Sequence, residues 1–326
     1  MIPADVLDRA RSIRLEDELS RRGIKLSGKN GSLSGPCPIC GGNAGTRTFP
    51  YKTRFNDVVF DYVRCRSCSS VFVDPVPDAN TFALMYSKAS YHDVHYIDCE
   101  SAHYGSSARL LRDFLPAGAS VLDYGCGLGL FLKALKVEGF SATGVEYDEE
   151  AAAYAAKNAD CLVFSTASFF SQRNKATYDA LHLGDVLAHL LEPGPTLGEL
   201  VGFVKPGGLL FVEGPLETNP TPVFWAARLF GAVKRLFRPN FIGSSPPTHL
   251  LRVNAVQQLT FFTRVERGLA RLHWDVHETG WPYANGGVLK RAIAGVAALL
   301  GGRTIFGVTF GNRFRGMFRL PDAAKP

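Results

Sequence analysis

The stretch that most restricts the fold is VLDYGCGLGLF, residues 121–131. An apolar, β-rich run carries Asp123 near its end. Gly125, Gly127 and Gly129 then fall at every second position before the helix-prone LGLFLKALKVEG. Glycines let a chain turn tightly at a strand end and bring its backbone close to a ligand. The helix that follows offers first-turn N–H groups with no partner inside the helix. Strand and helix character then alternate to Pro215, through SATGVEYD, EEAAAYAAKNA, CLVFS, YDALHLGDV, TLGELVGFVKPGG and LLFVEGP. Such alternation predicts an α/β fold, a parallel sheet with helices on both faces.

The ligand is constrained by the same residues. A nicotinamide fingerprint, G-x-G-x-x-G, needs glycine at position 130, which is Leu130 here. Glu146 ends the second strand, at the sheet edge where ligands bind, and a carboxylate can accept both hydroxyls of a ribose. The spacing of Asp123 and the glycines resembles the first motif of class I S-adenosylmethionine-dependent methyltransferases, D/E-x-G-x-G-x-G. LGDVLAHLLEP resembles that family's fourth motif, and VKPGGLLFVE resembles its turn before strand five.

With Glu146, these matches fall in the right order on the right elements. The resemblance implies a seven-stranded Rossmann-like sheet with an antiparallel last strand, and S-adenosylmethionine as cofactor. It implies cofactor contacts from Asp123, Gly125, Gly127, Gly129, Glu146, the adjacent Tyr147, and Asp185. Many members hold the adenine amino group with an aspartate at the third strand's end. Here that segment reads TASFF and Ser168 is the candidate, while Ala188 stands where the family commonly has glutamate. Asp185 and His189 also suit plain helix capping and packing.

Cys37-x-x-Cys40 and Cys65-x-x-Cys68 lie 24 residues apart and can supply four thiolates for tetrahedral zinc. Such a ligand set is closed, so the expected metal is structural. YVRCRSCSSVFVDPVPDANTFALMYSKASY resembles the zinc-binding N-terminal region of a methyltransferase group common in bacterial sugar, polysaccharide and secondary-metabolite pathways. The matching positions are Cys65, Cys68, Pro75, Pro77, Tyr86 and Tyr91. The entry to the first cysteine pair also resembles primase-type zinc domains. Residues 30–75 lack a dense basic cluster interleaved with aromatics, which argues against nucleic acid.

The expected organisation is a helix and linker over 1–30, with the helix in residues 1–20, and a small zinc-ribbon lobe over 31–90. A cofactor core follows over 103–215, then a helical substrate cap with final strands over 216–326. Seven cysteines without an apolar signal core suggest a reducing, cytoplasmic setting. From Pro222 onward there are 15 basic against 4 acidic side chains, a surplus of +11 in a chain whose net charge is +6. That suits either an anionic partner or a solvated surface.

A hydroxyl or carbon nucleophile needs a base. His249, after the Pro-rich loop SSPPT, is the first candidate, with loop anchoring as the plain alternative. His189, Tyr91 and Tyr96 follow. The related sugar C-methylating enzymes usually carry Tyr-x-Glu-His at this point, and this chain has Pro246, Pro247 and Thr248 before the histidine.

VFWAARLFGAVKRLFRP is amphipathic, with Arg228, Lys234, Arg235 and Arg238 opposite Trp225, Leu229, Ala232, Val233 and Leu236. It suits a lid with a buried apolar face, or a helix lying on a membrane surface. The function implied is methyl transfer to a small-molecule acceptor, a sugar or a biosynthetic intermediate. A lipid-linked or nucleic-acid acceptor and a non-catalytic zinc-ribbon adaptor are the alternatives, and oligomeric state is left open.

Overall fold

The structure is a computed structural model and describes residues 35–87, 101–171 and 177–322. The expected helix over 1–20, Tyr91, Tyr96 and Cys99 lie outside these residues.

The N-terminal lobe holds β1 (Gly45–Phe55), β2 (Val58–Cys65), β3 (Val71–Asp74) and helix α1 (Ala79–Met85). Asp78 caps α1 by accepting from Thr81 N at 2.8 Å. The central region runs α2 (Ser101–Leu111), β4 (Ser120–Tyr124), α3 (Leu130–Val137), β5 (Ser141–Glu146), α4 (Glu149–Ala159) and β6 (Leu162–Ser165). It continues through α5 (Thr166–Phe170), β7 (Tyr178–Gly184), a 3-10 turn at Leu187–His189, α6 (Pro193–Val201) and β8 (Val204–Pro215). The remainder comprises α7 (Pro222–Phe237), β9 (Leu251–Arg252), α8 (Ala255–Val265), β10 (Ala270–His277), α9 (Val288–Leu300), β11 (Thr304–Ile305), β12 (Val308–Thr309) and β13 (Arg313–Arg319).

The main sheet has seven strands in the order β10-β13-β8-β7-β4-β5-β6. β4 to β8 run parallel, and β13 inserts antiparallel beside β8, as expected. Alternate side chains serve two cores, as a pleated strand with both faces covered requires. Val121, Leu209 and Phe211 join the layer that contains α2, α3 and α4, while Leu122, Leu210 and Val212 join the layer that contains α6 and α8.

The chain beyond residue 215 returns to both sheets. β10 and β13 complete the main sheet, and β9 pairs antiparallel with β3 in the lobe's own sheet, order β1-β2-β3-β9. The lobe is fused to the core by packing as well. Cys37, Ile39, Cys65 and Phe72 share one buried cluster with Leu122, Leu181, Leu251 and Phe262. A capping box starts α8: Asn254 Oδ1 accepts from Gln257 N, and Gln257 Oε1 accepts from Asn254 N, both at 2.9 Å. The amide of Gln257 then donates to Cys68 O at 2.7 Å, so one side chain starts the helix and clamps a cysteine knuckle.

The lid expectation for α7 is corrected. Trp225, Leu229, Ala232, Val233 and Leu236 are all exposed. The helix instead turns its Gly231 side to β1, where a Cβ would come within 2.5 Å of the Phe49 ring. Arg235 lies over the Tyr51 ring on the same strand, 4.5 Å from its centroid. Close backbone approach at the glycine decided which side of the helix was covered.

Candidate active site

The glycine turn stands at the carboxyl edge of β4 and is stitched to β5. Gly125 N and Cys126 N donate to Val145 O at 2.8 and 3.0 Å, and Gly127 N donates to Glu146 Oε2 at 2.8 Å. Two positions demand glycine. Gly125 has φ +77° and a Cβ there would fall 2.4 Å from Val186 Cγ2. Gly129 caps α3 with φ +81°, and its Cβ would press on Ala155 O at 3.0 Å. A cleft beside the turn is lined by His103, Tyr104, Gly125, Leu130, Gly184 and Asp185.

Glu146 is 6% exposed and held by backbone N–H groups. Its Oε1 accepts from Tyr147 N at 2.7 Å. Asp148 N donates to the same oxygen at 3.3 Å. A buried carboxylate at the carboxyl edge of β5 is the kind of acceptor that the ribose hydroxyls of S-adenosylmethionine need. Tyr147 meets Phe82 of α1 edge-on at 5.2 Å, which brings the N-terminal lobe over this edge.

Asp123 does not face the cleft alone. Its Oδ1 lies 2.7 Å from His182 Nδ1, and His182 Nε2 lies 3.4 Å from Glu213 Oε1. Ser107 Oγ donates to Glu213 Oε2 at 2.8 Å, and Arg315 Nε stands 3.5 Å from the same oxygen. Burial alone would lower the pKa of His182, but Asp123 and Glu213 on its two nitrogens overcome this and raise it to about 9. Burial would raise that of Glu213, but His182 pulls it down to about 2. A buried imidazolium between two carboxylates thus lies under the glycine turn. Sequence reasoning missed it; the only signal was a histidine inside an apolar strand.

The second constellation forms where the Pro-rich loop meets the 3-10 turn after β7. His249 Nδ1 stands 2.9 Å from Glu217 Oε2, and the rings of His249 and His189 meet edge-on at 4.7 Å. The two histidines singled out in the sequence are thus brought together. Arg252 Nε lies 3.4 Å from Glu217 Oε2, and its guanidinium stacks over Tyr62 at 4.6 Å. Burial pushes the Glu217 carboxyl upward, but Arg252 and His249 hold it down at about 2, so it is ionised. Burial and the neighbouring His249 lower His189 to about 3, so it is neutral. His189 Nδ1 donates to Thr248 O at 2.7 Å, and Tyr86 Oη donates to the same carbonyl.

Glu217 was also missed. Its signal was its place two residues beyond β8, at the sheet edge where ligands bind. An aromatic chain joins the two ends of the site: Tyr147 to Phe82 at 5.2 Å, Phe82 to Tyr86 at 4.6 Å, and Tyr86 to His189 at 5.5 Å.

Two expected contacts sit differently. Ser168 is not at a strand end, because β6 stops at Ser165 and TASFF forms the helical turn α5. Its exposed hydroxyl donates to Ser165 O at 2.9 Å, and it is Ser165 that lies opposite Glu146 in the sheet register. Asp185 has φ +56° and is bidentate with Arg313 Nη2, at 2.8 and 2.7 Å. Its carboxylate is therefore directed to β13.

The four sulfurs of Cys37, Cys40, Cys65 and Cys68 lie within 4.8 Å of one another, with Cys37–Cys68 at 3.6 Å and Cys40–Cys65 at 3.5 Å. A tetrahedron of about 2.3 Å Zn–S bonds puts its sulfurs about 3.8 Å apart, so the donor set fits zinc. Ser70 Oγ lies 3.2 and 3.1 Å from the sulfurs of Cys37 and Cys68.

A family model described as a methyltransferase domain matches residues 100–264. A ubiquinone biosynthesis O-methyltransferase of Vibrio cholerae is 28% identical over 166 residues, covering 48% of this chain and 66% of that protein. One from Vibrio parahaemolyticus is 31% identical over 100 residues, 29% of this chain and 43% of that protein. The chain thus spans less than two thirds of the length of these curated relatives. A SAM-dependent methyltransferase of Archaeoglobus fulgidus superposes with a TM-score of 0.47 at 16% identity, covering 70% of this chain and 99% of that one. The family match spans the glycine turn, Glu146 and the His189–His249 pair, and on it the chain belongs to the class I S-adenosylmethionine-dependent methyltransferases.

Proposed function

We propose that this protein transfers the methyl group of S-adenosylmethionine to a hydroxyl of a small-molecule biosynthetic intermediate, with His249 as general base. The observation that carries this is the 2.9 Å approach of His249 Nδ1 to the ionised Glu217. A carboxylate at Nδ1 keeps the proton on that nitrogen and leaves Nε2 with a free lone pair. His249 Nε2 takes the proton of the acceptor hydroxyl as its oxygen attacks. Glu217 stabilises the imidazolium so formed, and Arg252 fixes Glu217. Neutral His189 adds no competing charge. When bound, S-adenosylmethionine supplies an electrophilic methyl group on a sulfonium, and its sulfur leaves as a neutral thioether that keeps the electron pair of the broken C–S bond. The relatives named as O-methyltransferases support oxygen as the receiving atom and favour a biosynthetic intermediate over a sugar.

The same reading assigns zinc to the four cysteines as a brace. When bound, the ion supplies four bonds that hold both knuckles. β3 leaves the second knuckle and pairs with β9, and His249 lies two residues before β9. The lobe therefore sets the position of the base.

Titration calorimetry with S-adenosylhomocysteine tests the cofactor end. The wild type should bind, and Glu146→Ala should bind at least about tenfold more weakly, the cost of losing hydrogen bonds to a charged group. Absence of binding by zinc-loaded wild type would sink the reading. Survival of methyl transfer to phenolic or alcoholic acceptors in His249→Asn would remove His249 from its role.

A further inference from the structure

The exposed apolar face of α7 calls for an occupant. Trp225, Leu229, Leu236 and Phe237 are 57%, 68%, 78% and 78% exposed on one helix. α9 packs beside it and carries a second stripe, with Val288, Leu289, Val296 and Leu299 between 52% and 78% exposed. No helix among the described residues is long and apolar enough to cross a membrane. Monomers rarely leave contiguous apolar surface of this extent without a use.

Charge selects among the occupants. Between Pro222 and Val265, and again between Thr279 and Pro321, the sequence contains no aspartate or glutamate. Arg228, Lys234, Arg235 and Arg238 stand on the other side of α7 from the stripe, with Arg238 exposed at the helix end, and Lys290 and Arg291 stand exposed on α9. A partner for this face must be apolar inside and anionic outside. Self-association would instead bring these cations against one another. The α7 pattern, bulky apolar side chains along one side and arginine and lysine along the other, is that of a helix lying in a lipid interface.

A groove of about 1010 Å³ opens between α7, α9 and the N-terminal lobe. Its walls mix Phe230, Phe241 and Leu289 with Arg238 and Lys290, and it reaches Arg252, the residue that fixes Glu217.

We infer that the α7–α9 face docks on the surface of an anionic lipid bilayer. The apolar stripes enter the acyl boundary, and the exposed Arg238 and Arg291 meet phosphate headgroups. The groove then opens towards the bilayer. In that one respect the inference rests on the proposed methyl transfer, since an amphiphilic acceptor would reach His249 without leaving the lipid.

The test is vesicle flotation with the full zinc-loaded chain, without cofactor, so that docking is read independently of methyl transfer. Vesicles of phosphatidylcholine alone are compared with vesicles containing about 30 mol% phosphatidylglycerol, which gives the bilayer a negative surface potential. Binding should require the anionic lipid and weaken as salt rises. Leu236→Ser with Phe237→Ser should abolish it, and Arg238→Glu with Arg291→Glu should weaken it at least about tenfold. All four side chains are exposed, and calorimetry with S-adenosylhomocysteine checks that the variants stay folded and cofactor-competent. No flotation with either vesicle overturns the inference, as does equal binding to both without salt dependence. Light scattering that finds a dimer broken by the Leu236→Ser/Phe237→Ser change, without vesicle binding, assigns the face to a second copy and also overturns it. Tight salt-sensitive binding of an oligonucleotide in place of vesicles does the same.

Discussion

Replacing His182 by glutamine should unmask the charge network beneath the glycine turn. The imidazole sits between Asp123 Oδ1 at 2.7 Å and Glu213 Oε1 at 3.4 Å, and its pKa is raised to about 9. In the unfolded chain a histidine titrates near about 6.5. The folded state thus holds a proton that the unfolded state loses between these values. The stabilisation is complete below about pH 6.5 and disappears as pH rises through about 9. At 1.36 kcal/mol per pH unit, that window is worth about 3 kcal/mol. Glu213 gives the opposite limb. With its pKa lowered to about 2, its stabilisation is complete above about pH 4.5 and is lost as pH falls through about 2. The His182–Glu213 attraction enters both limbs and counts once.

Glutamine removes the positive charge and leaves two buried carboxylates, an exchange that costs about 3–5 kcal/mol. Urea unfolding of zinc-saturated protein at pH 6, 7.5 and 9.5 reads both effects. The wild-type midpoint should fall with pH, while His182→Gln should start lower and change less. A variant within about 1 kcal/mol of wild type at pH 6 would refute the reasoning, as would a wild-type midpoint that does not move across the window.

Glu217→Gln and His249→Asn should each lower kcat about 10²–10⁴-fold, the usual worth of a general base, with S-adenosylhomocysteine affinity unchanged by calorimetry. Methylation rates within tenfold of wild type would remove the pair from the chemistry. Gly125→Ala places a Cβ 2.4 Å from Val186 Cγ2 at φ +77°. It should cost about 1–3 kcal/mol in thermal or urea unfolding and abolish cofactor binding. Elemental analysis should find one zinc per chain. Strong chelation, or Cys37→Ser, should lower solubility and unfolding midpoint first, with activity lost as a consequence. A chelated protein that keeps its midpoint would show that the cysteines do not brace the fold.

Much of the cofactor edge was legible because its chemistry is local. Asp123 to Gly129 lie on one strand–turn–helix, and Glu146 ends the next strand, so register along the chain was enough to place them. The cysteine quartet was legible because each pair closes its own knuckle; Gly41 N donates to Cys37 O, for example, at 2.8 Å. His249 and His189 were each singled out by motif, but nothing in the sequence joined them. Ser168 was misplaced because a serine N-cap turned TASFF into a helix. Ser165 Oγ accepts from Ser168 N at 3.3 Å, and the strand ends there. The α7 wheel gave the correct two faces and the wrong buried one.

The sequence alone determined the α/β class, the cofactor motif and the four thiols, because periodicity, glycine spacing and knuckle geometry act over a few residues. Only the tertiary structure decided what each charged group is paired with. Asp185 turns to Arg313, 128 residues away, His182 finds Glu213 at 31 residues, and Gln257 reaches back 189 residues to the Cys68 carbonyl. A buried charge must find a counter-charge or a hydrogen-bond partner wherever the fold supplies one. That choice is made by packing across strands and lobes, and a linear pattern carries no record of it.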